Sequence, residues 1–208
     1  MVSEFVVRSA DLAEAAFTRR NMCSPRSGGR TVMSALALVA GLCTGLVAAP
    51  LHASETIAPL SSLPMPTGPV LLTVTGDISV TNQGDAAVFD DAMLASLPAI
   101  SFTTTTNWTE GAHEFSGPAL STVLAALGAG PGVVDAKASN DYAVHFEPGE
   151  IGTDAPIIAR LIDGKTYSLR DNGPLWVIYP YDSSADYETE KVYSLSIWQL
   201  ASLHVRKP

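Results

Sequence analysis

Between Val70 and Val205 the apolar residues fall into short runs with two different periods, separated by polar and turn-forming residues. Val70-Leu-Leu-Thr-Val-Thr75 alternates with period two, as a half-buried strand does, and Gly76-Asp77 turns it into a second run, Ile78–Val80. Asn82-Gln-Gly-Asp85 predicts a turn and Ala86–Phe89 a short strand. Asp90 predicts a helix cap ahead of Met93, Leu94 and Leu97, with Pro98 as the stop. Ile100–Thr106 is rich in β-branched residues and predicts a strand. The clearest helical pattern runs from Pro118 to Leu127. Proline suits its first position, Leu120, Val123, Leu124 and Leu127 form one apolar stripe, and Gly128 suits the position past its end. Further strands are predicted at Val133–Ser139, Tyr142–Phe146, Ile157–Ile162, Thr166–Leu169, Leu175–Tyr179 and Ile197–Val205, with Asp163-Gly164 as a hairpin turn. No internal repeat occurs. Many short strands with two or three short helices predict an α+β domain, mostly β.

The chain ahead of this region is patterned differently. Residues 54–69 carry four prolines and no period, which reads as a linker. Arg26 and Arg30 precede an uncharged run from Thr31 to Pro50 whose centre is apolar, and small residues follow it. A positive start, an apolar middle and a small-residue exit describe a secretory signal peptide, with cleavage sites after Val47-Ala48-Ala49 or at Ala53. A membrane anchor at 31–50 is the alternative, disfavoured because Gly41, Thr44 and Gly45 make the run weakly hydrophobic. Lipid modification of Cys43 is disfavoured by Leu42, where a small residue is needed. Met22 offers a second start, and Thr18-Arg19-Arg20 lies too far upstream for a twin-arginine signal. The expected organisation is an extension and signal peptide at 1–53, a linker at 54–69 and a domain at 70–206. The expected location is the periplasm or the exterior.

Composition narrows the function. The 208 residues include 12 Lys and Arg against 21 Asp and Glu, with 47% hydrophobic and 16% charged residues. That balance excludes a disordered polyelectrolyte. It also argues against a nucleic-acid partner, which demands bases to neutralise phosphates. Without residues 1–53, seven basic residues face 18 acidic ones, a net charge of −11. Cys23 and Cys43 leave with the signal segment, so the mature chain has no disulfide, thiolate metal site or cysteine nucleophile. No G-x-S-x-G elbow, H-E-x-x-H pair or phosphate-cradling glycine loop is present.

Several segments, in order, resemble the sulfite-oxidase-type molybdopterin-binding domain family. Phe115-Ser-Gly-Pro-Ala-Leu-Ser-Thr-Val-Leu-Ala-Ala-Leu-Gly128 looks like its strand-to-helix motif, and Ala138-Ser-Asn-Asp-Tyr142 like its A-x-D-G-Y turn. Ala159-Arg-Leu-Ile-Asp-Gly-Lys165 is similar to its A-x-x-x-N-G-x hairpin, and Asn172-Gly-Pro-Leu-Trp-Val-Ile-Tyr-Pro180 to its G-x-P-L-R-L-V-V-P strand. Ile197-Trp-Gln-Leu200 resembles the closing strand, and a short helix is implied at Pro148–Ile151. The likeness spans about 68–206. It implies the family's mixed fold, a molybdopterin cofactor and oxidoreductase chemistry. Two departures bear on that implication. Catalytic members carry a metal-ligating cysteine where this chain has Thr103-Thr-Thr-Thr-Asn-Trp108, and a threonine hydroxyl is a poorer ligand to oxo-molybdenum. Trp176 stands where the family pattern often has arginine, and few bases remain to hold the cofactor's phosphate.

On that resemblance the candidate cofactor or ligand residues are Thr104, Thr105, Asn107, Trp108, Asp141, Tyr142, Arg170, Asn172 and Gly173. Thr104 or Thr105 would approach a metal, and Asn107 and Arg170 a pterin or substrate. Four consecutive threonines also make a plain strand. Asn140-Asp141-Tyr142 also suits ordinary turn chemistry, and Arg170 also suits a surface ion pair. His113, His145 and His204 are scattered, and the Asp182–Glu190 acidic loop lacks calcium-loop spacing, so no metal site is expected. The expected function is an exported, non-catalytic or accessory ligand-binding relative of the family. The alternative is a molybdopterin-dependent oxidoreductase with an oxygen ligand or no protein ligand to the metal. Expected partners are a small molecule or pterin and a periplasmic or membrane protein.

Overall fold

The computed structural model describes residues 58–207; the expected signal segment, both cysteines and the 31–50 run lie outside these described residues. In chain order the elements are β1 (Leu72–Gly76), β2 (Ala87–Phe89), α1 (Asp91–Ala95), β3 (Ala99–Thr105), β4 (Ala112–Pro118), α2 (Leu120–Ala126), β5 (Val134–Ala138) and β6 (Ala143–Phe146). They continue as β7 (Ile157–Ala159), β8 (Leu161–Ile162), β9 (Trp176–Ile178), α3 (Glu190–Leu195) and β10 (Leu200–Val205). Single 3-10 turns lie at Leu169–Asp171 and Tyr181–Ser183. The class is α+β, mostly strands with a few short helices. Among the described residues no helix is long and apolar enough to cross a membrane.

The larger sheet has the order β2-β1-β10-β5-β6. β10 runs parallel to β1 (Thr73 opposite Ser202, Gly76 opposite Val205) and antiparallel to β5. From Leu203 on, alternation decides its faces, with Leu203 and Val205 buried and His204 exposed; a register shift between Leu200 and Ser202 lets Leu200 be buried as well. A second sheet, β3-β4-β8, is antiparallel throughout, and β7 pairs with β9 as a third. β7 and β9 are buried at every residue, so they read as apolar runs rather than alternating ones.

β4 has no apolar alternation in Ala112-His-Glu-Phe-Ser-Gly-Pro118 and is not predicted from it. Its seven-residue register with β3, from Ala99 opposite Pro118 to Thr105 opposite Ala112, makes it a strand, anchored by the fully buried Phe115. Gly117 is required because a Cβ there would lie 1.9 Å from the carbonyl oxygen of Ile158 in β7. Pro118 therefore ends a strand instead of opening the helix. Extended Ala119 intervenes, and α2 starts at Leu120, whose amide donates to the Pro156 carbonyl at 2.9 Å. The predicted stripe holds, with Leu120, Val123 and Leu127 fully buried, and Gly128 terminates the helix at φ 59°.

Three other expectations change. Ile78–Val80 is not a strand: Ser79 and Val80 amides donate to the Leu127 carbonyl (2.9 and 3.1 Å), so the segment caps the end of α2. Thr166–Leu169 is not one either, because Ser168 accepts from the Arg170 amide at 3.2 Å and starts a 3-10 turn. Pro148–Ile151 forms a turn and bend rather than a helix. α3 is an addition, capped by Thr189 accepting from the Val192 amide.

Asp90 fixes the entry to the domain. It is buried, and one carboxylate oxygen accepts from the amides of Thr67 and Gly68 (2.8 Å each) while the other accepts from Met93 at 2.9 Å. The predicted cap is thus also the clasp for residues 58–69, which lie along the domain with Leu63 buried. The Met93 amide, then that of Gly68, holds the carboxyl below its ordinary range. A depressed native pKa means a stabilising contribution complete above about pH 4 and lost as pH falls through the native value. Asp90→Asn can still cap α1, but its NH2 faces donors at Thr67 and Gly68. We expect a melting temperature lower by on the order of 5 °C at pH 7 and a shallower loss on acidification. An unchanged melting curve across pH 3–7, followed by circular dichroism, would contradict this assignment.

Candidate functional site

The β3–β4 turn, the β5–β6 turn, the end of α3 and the chain entering β10 enclose a cavity of about 300 Å³. Trp108, Tyr142, Tyr193 and Trp198 provide its rings, and Asn140 and Ser194 provide polar groups. Trp108 is the hub. Its ring centroid lies 5.8 Å from Trp176, 5.8 Å from Trp198, 6.1 Å from Tyr193 and 6.3 Å from Tyr181, all edge-on. Beneath it, Tyr181 and Ser196 share a 2.5 Å hydroxyl hydrogen bond, and burial pushes the Tyr181 phenol well above its usual pKa. Tyr142 is half exposed at the rim and donates its hydroxyl to the Ser194 carbonyl at 3.4 Å, joining the β5–β6 turn to α3.

Gln199, next to the lining residue Trp198, ties neighbouring loops together. Its side chain donates to the Leu169 carbonyl (2.8 Å) and accepts from the Ser139 hydroxyl (3.2 Å). Its backbone amide donates to Asn172, and its carbonyl accepts from Ser139. Gln199 (φ 54°), Asp141 (φ 70°) and Asn172 (φ 68°) all adopt left-handed backbone, so three such non-glycine residues gather beside the cavity. Asp and Asn tolerate that conformation through local bonds, whereas Gln199 must be held by its surroundings. Gly173 is needed for closeness: a Cβ there would meet the Tyr167 carbonyl oxygen at 2.2 Å.

The sequence candidates divide between two places. Trp108 and Tyr142 line the cavity and Asp141 sits between two lining residues; Asn172, whose carbonyl accepts from the Gln199 amide, and Gly173, packed on Tyr167, are not on the lining. Asp141 lies beside Lys137 at 2.7 Å, which holds its carboxyl low. Arg170 sits exposed on the 3-10 turn and makes no ion pair among the described residues; Asp171 accepts from Ser168 instead. Asn107 is exposed in the turn after β3. Thr104 and Thr105 face elsewhere. The buried Thr104 hydroxyl accepts from the Asp182 amide and donates to the Thr105 carbonyl, each at 3.2 Å. The Thr105 amide and hydroxyl donate to the Asp182 carboxylate at 2.6 and 2.7 Å, and the amide bond first, then the hydroxyl, keeps that acid ionised below its ordinary range.

These residues do not fit the molybdopterin that the resemblance implies. No cysteine occurs among the described residues, and both threonine hydroxyls are committed to the Asp182 turn. No Lys or Arg lines the cavity, and the neighbouring Lys137 and Lys191 are paired with Asp141 and Glu150. Trp176, which the resemblance sets at an arginine position, is fully buried, with an indole N–H that has no protein acceptor. Among the described residues no group of three or more His, Cys, Asp or Glu side chains comes together as a metal site.

The histidines serve structure. His113 contacts Asp163 at 2.7 Å across the β4–β8 pair, which raises the imidazole pKa and lowers the carboxyl. The raised imidazole stabilises below its unfolded pKa and the lowered carboxyl above its own. This clasp is therefore complete between about pH 4 and 6.5 and weakens as pH rises through the native imidazole value. His145 binds Asp135 at 2.6 Å, and His204 meets the Thr75 hydroxyl at 3.0 Å.

Tyr193, Ser194, Trp198 and Gln199 are site residues that the sequence reading does not single out. The signal was present as aromatic residues at 193 and 198 flanking a Ser-Leu-Ser-Ile run. Gln199→Ala should lower the melting temperature by a few degrees through loss of both side-chain bonds. Gln199→Gly loses the same bonds but relieves the left-handed backbone, so it should be more stable than the alanine variant by about 1 kcal/mol. Equal stability of the two variants in urea denaturation would show that the backbone there is relaxed.

The chain matches no protein-family model and no curated protein sequence, so the reading of function rests on these side chains and their geometry.

Proposed function

We propose that this chain is an exported, non-catalytic relative of the sulfite-oxidase-type molybdopterin-binding domains, and that it binds a small molecule in the aromatic cavity. The observation that carries this reading is a cavity walled by Trp108, Tyr142, Tyr193 and Trp198, with no basic or thiolate side chain on it. A mostly apolar concavity with a few convergent polar groups is the usual form of a small-molecule site. The catalytic apparatus expected of the family has its counterpart in structural contacts here, with Thr104 and Thr105 serving to fasten the Tyr181–Ser183 turn. The apolar 31–50 run with its two preceding arginines supports export. An oxidoreductase with a threonine oxygen on the metal would need Thr104 or Thr105 to leave Asp182, and one with no protein ligand would still need basic groups for the cofactor's phosphate, of which the cavity lining has none.

All three tryptophans of the chain, Trp108, Trp176 and Trp198, belong to the one cluster, so intrinsic fluorescence reports directly on the cavity. A panel of choline, benzyl alcohol, nicotinamide and a phosphorylated pterin should include a non-phosphorylated compound that changes the emission saturably and raises the melting temperature. Tyr142→Ala, at an exposed rim position, should weaken that compound's binding about tenfold while leaving the fold intact. Binding of the phosphorylated pterin alone, or of nothing at millimolar concentration, would overturn the proposal.

A further inference from the structure

We infer that the ligand of the aromatic cavity is a small organic cation with an alkylated ammonium head; this rests on the ligand-binding reading above and specifies its chemistry. Four features converge. The first is the geometry of the walls. Trp108 stands at 64° to Trp198 and 77° to Tyr193, so the rings form a corner rather than a parallel slot. A flat neutral ring stacks best in a slot, whereas a rounded head touches several faces of a corner. The negative faces of Trp and Tyr attract such a charge, and a quaternary ammonium gives up little hydration to reach them.

The second feature is the floor, where Tyr193 and Ser194 belong to the last turn of α3, the carbonyl end of that helix. The Tyr193 and Ser194 carbonyls accept from the Ser196 amide and the Tyr142 hydroxyl, so acceptor groups rather than basic ones build the floor. The third is the absence of competing charge: no Lys or Arg lines the cavity, while Lys137 and Lys191 nearby are neutralised by Asp141 and Glu150. The fourth is the long-range field. Residues 58–207 carry seven basic and 17 acidic side chains, a net charge of −10, which draws cations and repels anions. The Tyr142 ring, half exposed at the rim and tethered to the Ser194 carbonyl, lies where it can cover an entering head.

The test compares choline with its uncharged isostere 3,3-dimethylbutan-1-ol and with benzyl alcohol, by tryptophan fluorescence and calorimetry on the mature chain. Choline should bind at least tenfold more tightly than the isostere, which has the same shape without the charge. Asn140→Lys, which places a positive charge on the cavity lining, should weaken choline at least tenfold more than it weakens the isostere, and equal weakening of the two overturns the cation assignment. Isostere binding equal to choline overturns the cation assignment. Benzyl alcohol binding without choline also overturns it but leaves the ligand-binding reading standing, whereas no binding by any of the three overturns both.

Discussion

The parallel pairing of β1 with β10 is the constraint on which the rest of the molecule depends. β10, the last strand, lies between β1 and β5, so the five-stranded sheet cannot be completed until the end of the chain has entered it. Closing a loop of that length gives slow folding and long-range contacts, in return for a sheet core of Leu72, Val74, Val134, Ala136, Leu203 and Val205. The same insertion builds the cavity. Trp198 and Gln199 precede β10 directly, and the chain there is tied to β9 on both sides, by Val177 to Ile197 and Leu200 to Leu175. Trp198 is thereby set against Trp176 and Trp108, and Gln199 against Ser139 and Leu169.

Much of the fold was legible because its signals are local. The α2 stripe, the Asp90 cap, the Asp163-Gly164 turn and most strands follow from period, capping and turn chemistry. The misreadings have a common origin in tertiary contacts. β4 is a strand because β3 pairs with it and β7 approaches closely at Gly117, and neither partner is legible from β4's own seven residues. Ile78–Val80 looks like a strand but has its amides drawn to the end of α2. The candidate site was half legible. Trp108 and Tyr142 stand out by type and by the resemblance, but Gln199 acts through three loops far apart in sequence and carries no local mark.

The chemistry of the site follows from what replaces what. On the resemblance alone, Thr104 and Thr105 take the place of a metal-ligating cysteine; in the structure both hydroxyls are engaged at the Asp182 turn. On the same resemblance Trp176 takes an arginine position, and its indole extends the Trp108 cluster to the buried Phe115. Of the two, only Trp176 adds aromatic surface. The ligand has to be read from the cavity itself.

The most direct measurement is the molybdenum and pterin content of the mature protein, purified from the periplasm of a molybdate-replete host and checked for a cooperative melt. The account predicts a folded protein free of both. Near-stoichiometric molybdenum with pterin fluorescence would contradict it, because a site without thiolate or basic residues would then be retaining the cofactor.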